Sequence, residues 1–432
     1  MNILRSNNHR FINFIKFYNN NNINNNITNN IKLFSSKSSL NSNNFNNNSY
    51  NRNISYKSFQ SIKTDYKFSN EDEVFQEIKD YKNYEEKGNY SAAKSILNRS
   101  LQMVESTLGR KHDITINVLF RMVNLELIIG DLSSAEKYCN QILNRIQDQL
   151  YTSPISIPTL NYLMICHQYQ GDKEKCFKVI DQIIDIAKKN NDYEVVVSTL
   201  LNKAIVLSLD CDDEADSVYN ECIKLSKENL DESNKLNESI LSNYACYLHS
   251  KGDNDILAEE LYLKSKELAE KNNNDIELVN ILANYGEFLY DSDQFDKAVP
   301  VLENAIQKSE MVYGRNNSKV GCVLYVLGKL YRDKGSHSWA EGFFNKCITI
   351  FEDHKNNIKR RENERELINK NESSNYHYQP GKRERELRNN KEVDIEFGNV
   401  LWDYAQMMRE KGRLKEAENL EERARKLNSF EE

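Results

Sequence analysis

The sequence predicts an all-α chain, an α-α superhelix of about seven to eight stacked helix pairs. Three observations predict it. The 432 residues include only four prolines and 14 glycines and are rich in Leu, Ile, Glu, Lys and Asn, too little punctuation for a β-rich fold. A small residue set in a recurring core returns about every 41 positions. Apolar residues near each core recur at helical spacing, as at Leu324, Leu327 and Tyr331.

The core reads "KGNYSAAKSIL" at Ala93, "IGDLSSAEKYC" at Ala135, "QGDKEKCFKVI" at Cys176 and "DCDDEADSVYN" at Ala215. It continues as "KGDNDILAEELY" at Ala258, "SDQFDKAVPVLENA" at Ala298, "KGSHSWAEGFF" at Ala340 and "KGRLKEAENLEERA" at Ala417. The steps between the small residues are 42, 41, 39, 43, 40, 42 and 77. Such a period marks an array of units, none of which can bury its apolar face alone. Each unit reads as an antiparallel helix pair. Ala245, Gly286, Gly328 and Ala405 stand seven positions before the turn Gly or Asp of their units. Helices approach closely where one lacks a bulky side chain, so each of these is expected to face the small residue of its second helix. Gly88, Gly130, Gly171, Gly252, Gly335 and Gly412 fall at the turns, where a helix end favours left-handed backbone. Pro300 is expected in the first turns of its helix, where early N–H groups lack helical partners.

In chain order, residues 1–64 read as a basic, Asn/Ser-rich presequence and disordered segment. Residues 65–354 read as the array, 355–392 as a charged insertion and 393–432 as a terminal helix pair. The first 62 residues contain Arg5, Arg10, Lys16, Lys32, Lys37, Arg52 and Lys57 and no acid, whereas 65 of all 432 residues are acidic. On a helix, Leu4, Phe11, Ile15 and Tyr18 share one face and the bases lie elsewhere. This is the pattern of a mitochondrial presequence, and a mitochondrial location is expected, with the cytoplasm as the alternative. The total charge of −7, less that +7, leaves −14 for the remainder. An acidic body argues against a general phosphate-binding surface, and no nucleic-acid partner is expected. The insertion accounts for the 77-residue step. It carries 11 basic and seven acidic residues and the echo "ERELIN" and "ERELRN". It reads as a solvated helical extension broken at Pro380 and Gly381, or else as a basic partner-binding element.

The repeats resemble the tetratricopeptide repeat superfamily, in the 42-residue form of kinesin light chains. Asn243 with Ala245 and Asn284 with Gly286 match its N-L-A element, and Ala298 with Pro300 matches A-E-P. "TLGRKHDIT" (107–115) and "VYGRNNSKV" (312–320) match the linker between repeats. The resemblance covers about residues 73–432, best around Ala258, Ala298 and Ala340. It implies a tetratricopeptide-repeat solenoid whose first helices line a groove for proteins or extended peptides. Asn243, Asn280, Asn284, Glu287, Lys329, Arg332, Trp402 and Arg409 are then the groove candidates. Asparagines would bond a peptide backbone without demanding a sequence, and Trp402 would serve as an apolar anchor. A carboxylate clamp is not expected, because Cys322 and Val326 stand where it needs bases. A mitochondrial adaptor or assembly factor follows as the expectation. A cytosolic cargo adaptor of the kinesin-light-chain kind is the alternative, although the long heptad segment that would join a motor is lacking.

Motifs for chemistry are lacking. "GCVLYVLGKL" departs from a phosphate loop, with six residues between its glycines and Leu330 after the lysine. "DSDQFDKAVPVL" begins like a calcium loop but has Asp296 where Gly is needed and Leu302 where a bidentate Glu is needed. The eight cysteines form no C-x-x-C pair, and Cys166 and Cys176, at C-x9-C spacing, lack a twin pair. They read as reduced packing residues. The seven histidines are scattered, so no catalytic residue, metal or cofactor is expected. No window reaches the roughly 18 apolar residues of a membrane span.

Overall fold

A computed structural model describes Tyr81, Tyr84 and residues 89–428 apart from 253 and 372–379, with the backbone alone described over 357–392. The expected presequence, residues 1–64, lies outside the described residues. Among the described residues the chain is helical without strands. Helix α1 spans Tyr90–Thr107, α2 Asp113–Ile129, α3 Leu132–Arg145, α4 Ser156–Gln170 and α5 Lys173–Lys189. Then come α6 Tyr193–Ser208, α7 Glu214–Asn229, α8 Leu236–Lys251, α9 Asp255–Lys271 and α10 Asp275–Asp291. The last five are α11 Phe295–Tyr313, α12 Ser318–Asp333, α13 His337–Asn371, α14 Pro380–Glu410 and α15 Leu414–Asn428. From α2 to α15 they form seven consecutive pairs, and α1 precedes them as the second helix of a further unit. This is the predicted class and number, and the less regular repeats at Cys176 and Ala215 form pairs as well.

Two compact units divide the chain inside α6. Of the described residues, one unit holds those up to 196 together with 380–385; the other holds 197–371 and 386–428.

Helix starts are set by side-chain caps. Asn89, Asp131, Asp172, Asn254, Asn274 and Asn317 each accept a backbone N–H of the first turn, satisfying a donor that the helix leaves free. The turns take the left-handed backbone expected of them. Gly130 (φ 90°), Gly252 (70°) and Gly335 (72°) end first helices, and Asp293 (57°) does so where glycine is absent.

Close approach takes a different form from small facing small. A Cβ on Gly286 would lie 2.4 Å from Leu302 Cδ2, and one on Gly328 would lie 3.0 Å from Phe344 Cε1. Each glycine is therefore a hole for a bulky side chain one turn beyond the second-helix alanine, Ala298 or Ala340. Filling the gap with a large side chain buries more apolar surface than apposing two small ones. Pro300 also departs from expectation. It is the sixth residue of α11, past the free N–H groups, so the Asp296 carbonyl loses its helical donor there.

In the unit that begins at residue 197, aromatic side chains tie α7 to α8, α9 to α10 and α13 to α14. Tyr219 stacks on Tyr244 at 5.0 Å, Tyr262 lies 5.6 Å from Tyr285 and Phe288, and Phe344 stacks on Tyr404 at 5.4 Å. The buried Glu238 carboxylate accepts from Asn272 Nδ2 and Asn274 Nδ2, both at 2.6 Å, which fastens the α9–α10 linker to α8. The insertion leaves the pairing intact. It lengthens α13 and α14 to 35 and 31 residues, and Lys355 meets Asp394 at 2.6 Å where the ordinary pair ends.

Candidate partner-binding strip

The first helices α8, α10, α12 and α14 carry polar side chains at matching positions, near the end where each helix turns into its partner. One position after the small residue come Cys246, Glu287, Lys329 and Gln406; four positions after it come His249, Tyr290, Arg332 and Arg409. In isolation each reads as a surface residue. The structure instead joins most of them to a neighbouring repeat.

Lys329 Nζ lies 3.3 Å from Glu287 Oε1 across the α10–α12 contact, with 14% of the lysine and 9% of the glutamate side chain exposed. The same ammonium sits 5.0 Å over the Tyr290 ring and 5.1 Å over the Tyr325 ring. Burial alone would lower the lysine pKa, but the carboxylates of Glu287, Asp291 and Asp403 outweigh it and hold the group protonated. Tyr290 donates its hydroxyl to Asp333 at 2.6 Å and Tyr325 donates to Asp403 at 2.5 Å. Arg332 lies 2.8 Å from Asp333 and 3.9 Å from Asp403. His249 Nε2 lies 3.3 Å from Asp291. The bases of α12 thus meet acids of α10 and α14, while α12 adds an acid of its own, Asp333. A buried cation removed from such a pair leaves a stranded charge, which costs about 3–5 kcal/mol.

Of the eight groove candidates, Asn284, Glu287, Lys329 and Arg332 come together here. Asn284 Nδ2 reaches Cys246 Sγ at 3.1 Å. Asn280 is buried on α10 beside Glu277, 3.4 Å from its Oε2. Asn243 turns back to the Ser239 carbonyl of its own helix at 2.8 Å. Trp402 is 38% exposed. Arg409 leaves the strip, pairing with Glu421 of α15 through two bonds of 2.6 and 2.9 Å. Residues that sequence reasoning missed are His249, Tyr290, Asp291, Tyr325 and Asp403. His249 and Asp291 carry one signal, a spacing of 42 residues between a base and an acid, which has meaning only once the register of neighbouring first helices is known; Tyr290, Tyr325 and Asp403 carry none.

Chemistry of other kinds finds little support. Among the described residues no His, Cys, Asp and Glu side chains gather as metal ligands. All eight cysteines are free thiols, seven of them buried. Burial pushes the Cys176 thiol up to about 11 and Cys246 to about 12, which keeps them unreactive. The turn that begins like a calcium loop forms a surface cleft of about 380 Å³ lined by Asp293, Gln294, Phe295, Asp296, Lys297 and Lys334. Lys334 already pairs with Asp296 at 2.9 Å. Cys322 and Val326 are buried, so no base stands where a carboxylate clamp would need one. No helix among the described residues is long and apolar enough to cross a membrane.

A family model described as tetratricopeptide repeat matches residues 277–353, from α10 into α13. The match is confined to this stretch, which is similar to tetratricopeptide repeats. The paired-helix class assigned from the sequence is the class of those repeats, and the matched stretch contains Asn280, Asn284, Glu287, Lys329 and Arg332. Among solved structures, the TPR-like repeats assigned to a kinesin light chain of Podosopora anserina are similar at 14% identity. That match covers 46% of this chain and 96% of the other, at TM-score 0.40. Apo RapI is similar at 11% identity, covering 66% and 99%, at TM-score 0.48. Aspartyl phosphate phosphatase F from Bacillus subtilis is similar at 12% identity, covering 85% and 96%, at TM-score 0.45. No curated protein matches the chain in sequence.

Proposed function

We propose that the chain is a non-enzymatic scaffold, a mitochondrial adaptor or assembly factor that holds partner segments along its first helices. The observation that carries this reading is the polar strip on α8, α10, α12 and α14, with Trp402 exposed on the same series of helices. Side chains repeated at one helical position along stacked pairs present an extended row of contacts, which suits an extended segment better than a compact substrate. The location rests on the acid-free first 62 residues. In architecture and leader the chain is loosely similar to mitochondrial tetratricopeptide repeat protein 19, an accessory factor of respiratory complex III.

Two measurements test the reading. The full chain with a C-terminal tag is expected in mitochondria, and the same chain without residues 1–62 is expected outside them; cytosolic signal from both would overturn the mitochondrial role in favour of a cytosolic cargo adaptor. Mitochondrial partners captured by the full chain are expected to be lost with Trp402→Ala at unchanged melting temperature. Capture that is indifferent to Trp402 would remove the anchor from the site.

A further inference from the structure

The strip is short of positive charge and of hydrogen-bond donors at the same place. Around Lys329 stand four carboxylates, Glu287, Asp291, Asp333 and Asp403, against two permanent cations, Lys329 and Arg332. His249 is the one other base in this network, facing Asp291. Farther along the same helices Glu277 is offset by Lys319, while Glu396 adds a further acid. Independently, two buried acceptor atoms lack a partner: Asn284 Oδ1 and Glu287 Oε2. Both residues are 7% exposed. They lie three residues apart on α10 and so share one face of it. Asp291, four residues further on, continues that face outward and is 40% exposed. The face thus runs from an open carboxylate, through a half-paired carboxylate, to a buried amide oxygen.

We propose that this face of α10 receives a long basic side chain, arginine or lysine, from the partner segment. The inference rests on the scaffold reading and names the partner class of that site. The ligand's cation supplies the donors that Asn284 Oδ1 and Glu287 Oε2 lack and reduces the charge deficit. A long aliphatic stem is required, because the acceptors lie a full helical turn and more inside Asp291. Lys329 occupies the neighbouring position between Glu287 and two tyrosine rings, so it is an internal competitor for the same carboxylate. Arginine is the better fit, since its planar fork can donate to the amide oxygen and the carboxylate together.

The test uses the full chain and fluorescence anisotropy with a labelled nonapeptide carrying two arginines in a Gly/Ser background. A matched peptide with citrulline in place of arginine keeps the shape and removes the charge. The arginine peptide is expected to bind at least tenfold more tightly than the citrulline peptide. Glu287→Gln and Asn284→Leu are each expected to weaken it tenfold or more. Lys329→Met is expected to tighten it severalfold even as it lowers the melting temperature, which a purely structural lysine would not do. Should Glu287→Gln fail to fold, Asp291→Asn at the open end carries the same expectation. Asp296→Asn, 98% exposed and outside the strip, should leave binding unchanged. Equal binding of the two peptides, indifference to Glu287→Gln, or loss of affinity in Lys329→Met would overturn the proposal. Panning a random peptide library separates the two readings. Enrichment of Arg and Lys supports both, enrichment of peptides without bases removes the basic preference alone, and no enrichment removes the scaffold reading too.

Discussion

Lys319 shows how far one side chain can depart from its appearance in sequence. At the start of α12 it looks like an ordinary exposed cap-proximal lysine, yet it is 6% exposed. Its Nζ lies 3.1 Å from the Tyr313 hydroxyl and 4.5 Å over that ring. Burial pushes its pKa down to about 8 from an ordinary 10.5, with Glu277 opposing. Below pH 8 the folded and unfolded chains are both protonated there, so the folded state bears the whole cost of a buried ammonium. Between pH 8 and 10.5 the unfolded chain binds the proton more tightly, and stability rises with pH. Above 10.5 the cost is gone. Lys319→Met is therefore expected to stabilise the chain at pH 7 by up to about 3 kcal/mol, less what Glu277 loses with its neighbour. The advantage should shrink above pH 8 and vanish near pH 10.5 in urea titrations run across that range. A constant difference from pH 7 to 11 would contradict the assigned burial.

At the scale of the element, the hole opposite each bulky second-helix residue governs how closely a pair can pack. Gly286 and Leu302 are the tightest case. Gly286→Ala should force Leu302 off its rotamer and cost about 1–3 kcal/mol. In a Leu302→Ala background the same change should cost far less, because the Cβ would then meet open space, and the two changes should be clearly non-additive. Additive losses in thermal melts would place the contact elsewhere. The sequence marked Gly286 and Gly328 as sites of close approach, since only glycine and alanine occupy that position in the regular repeats. It did not reveal what fills the gap, because Leu302 and Phe344 each belong to an apolar helix face that offers several equivalent candidates. The candidate strip was partly legible for a similar reason. Helical position singled out Glu287, Lys329 and Arg332, but pairing across repeats depends on register, so Asp291 and Asp403 stood out from no other acid. Arg409 shared the position of Arg332 and was read alike, yet Glu421 on α15 draws it away.

Across the whole molecule, the period of about 41 was visible because it is written in turn glycines and small contact residues, which tolerate few replacements. The insertion obscured the last repeat by delaying it to Ala417 without altering its pairing. Outside the inserted residues α13 and α14 are held by Phe344 with Tyr404 and Phe351 with Phe397 at 5.5 Å, and Lys355 with Asp394 closes the pair at the insertion's first residue. Replacing residues 357–392 with a short Gly/Asn turn should therefore return both helices to the 14–19 residues of the others. Shortening a connection between elements that already pack changes the closure entropy only slightly. The melting temperature is expected to stay within about 2 °C of the parent, since a change below roughly 1 kcal/mol moves a chain of this size by no more than that. Partner capture decides what the insertion does. Undiminished capture by the shortened chain makes it a solvated extension, whereas loss of capture at an unchanged melting temperature makes the net charge of +3 on the replaced residues part of the binding surface. A large fall in melting temperature would mean that the inserted helices bury surface that the array needs.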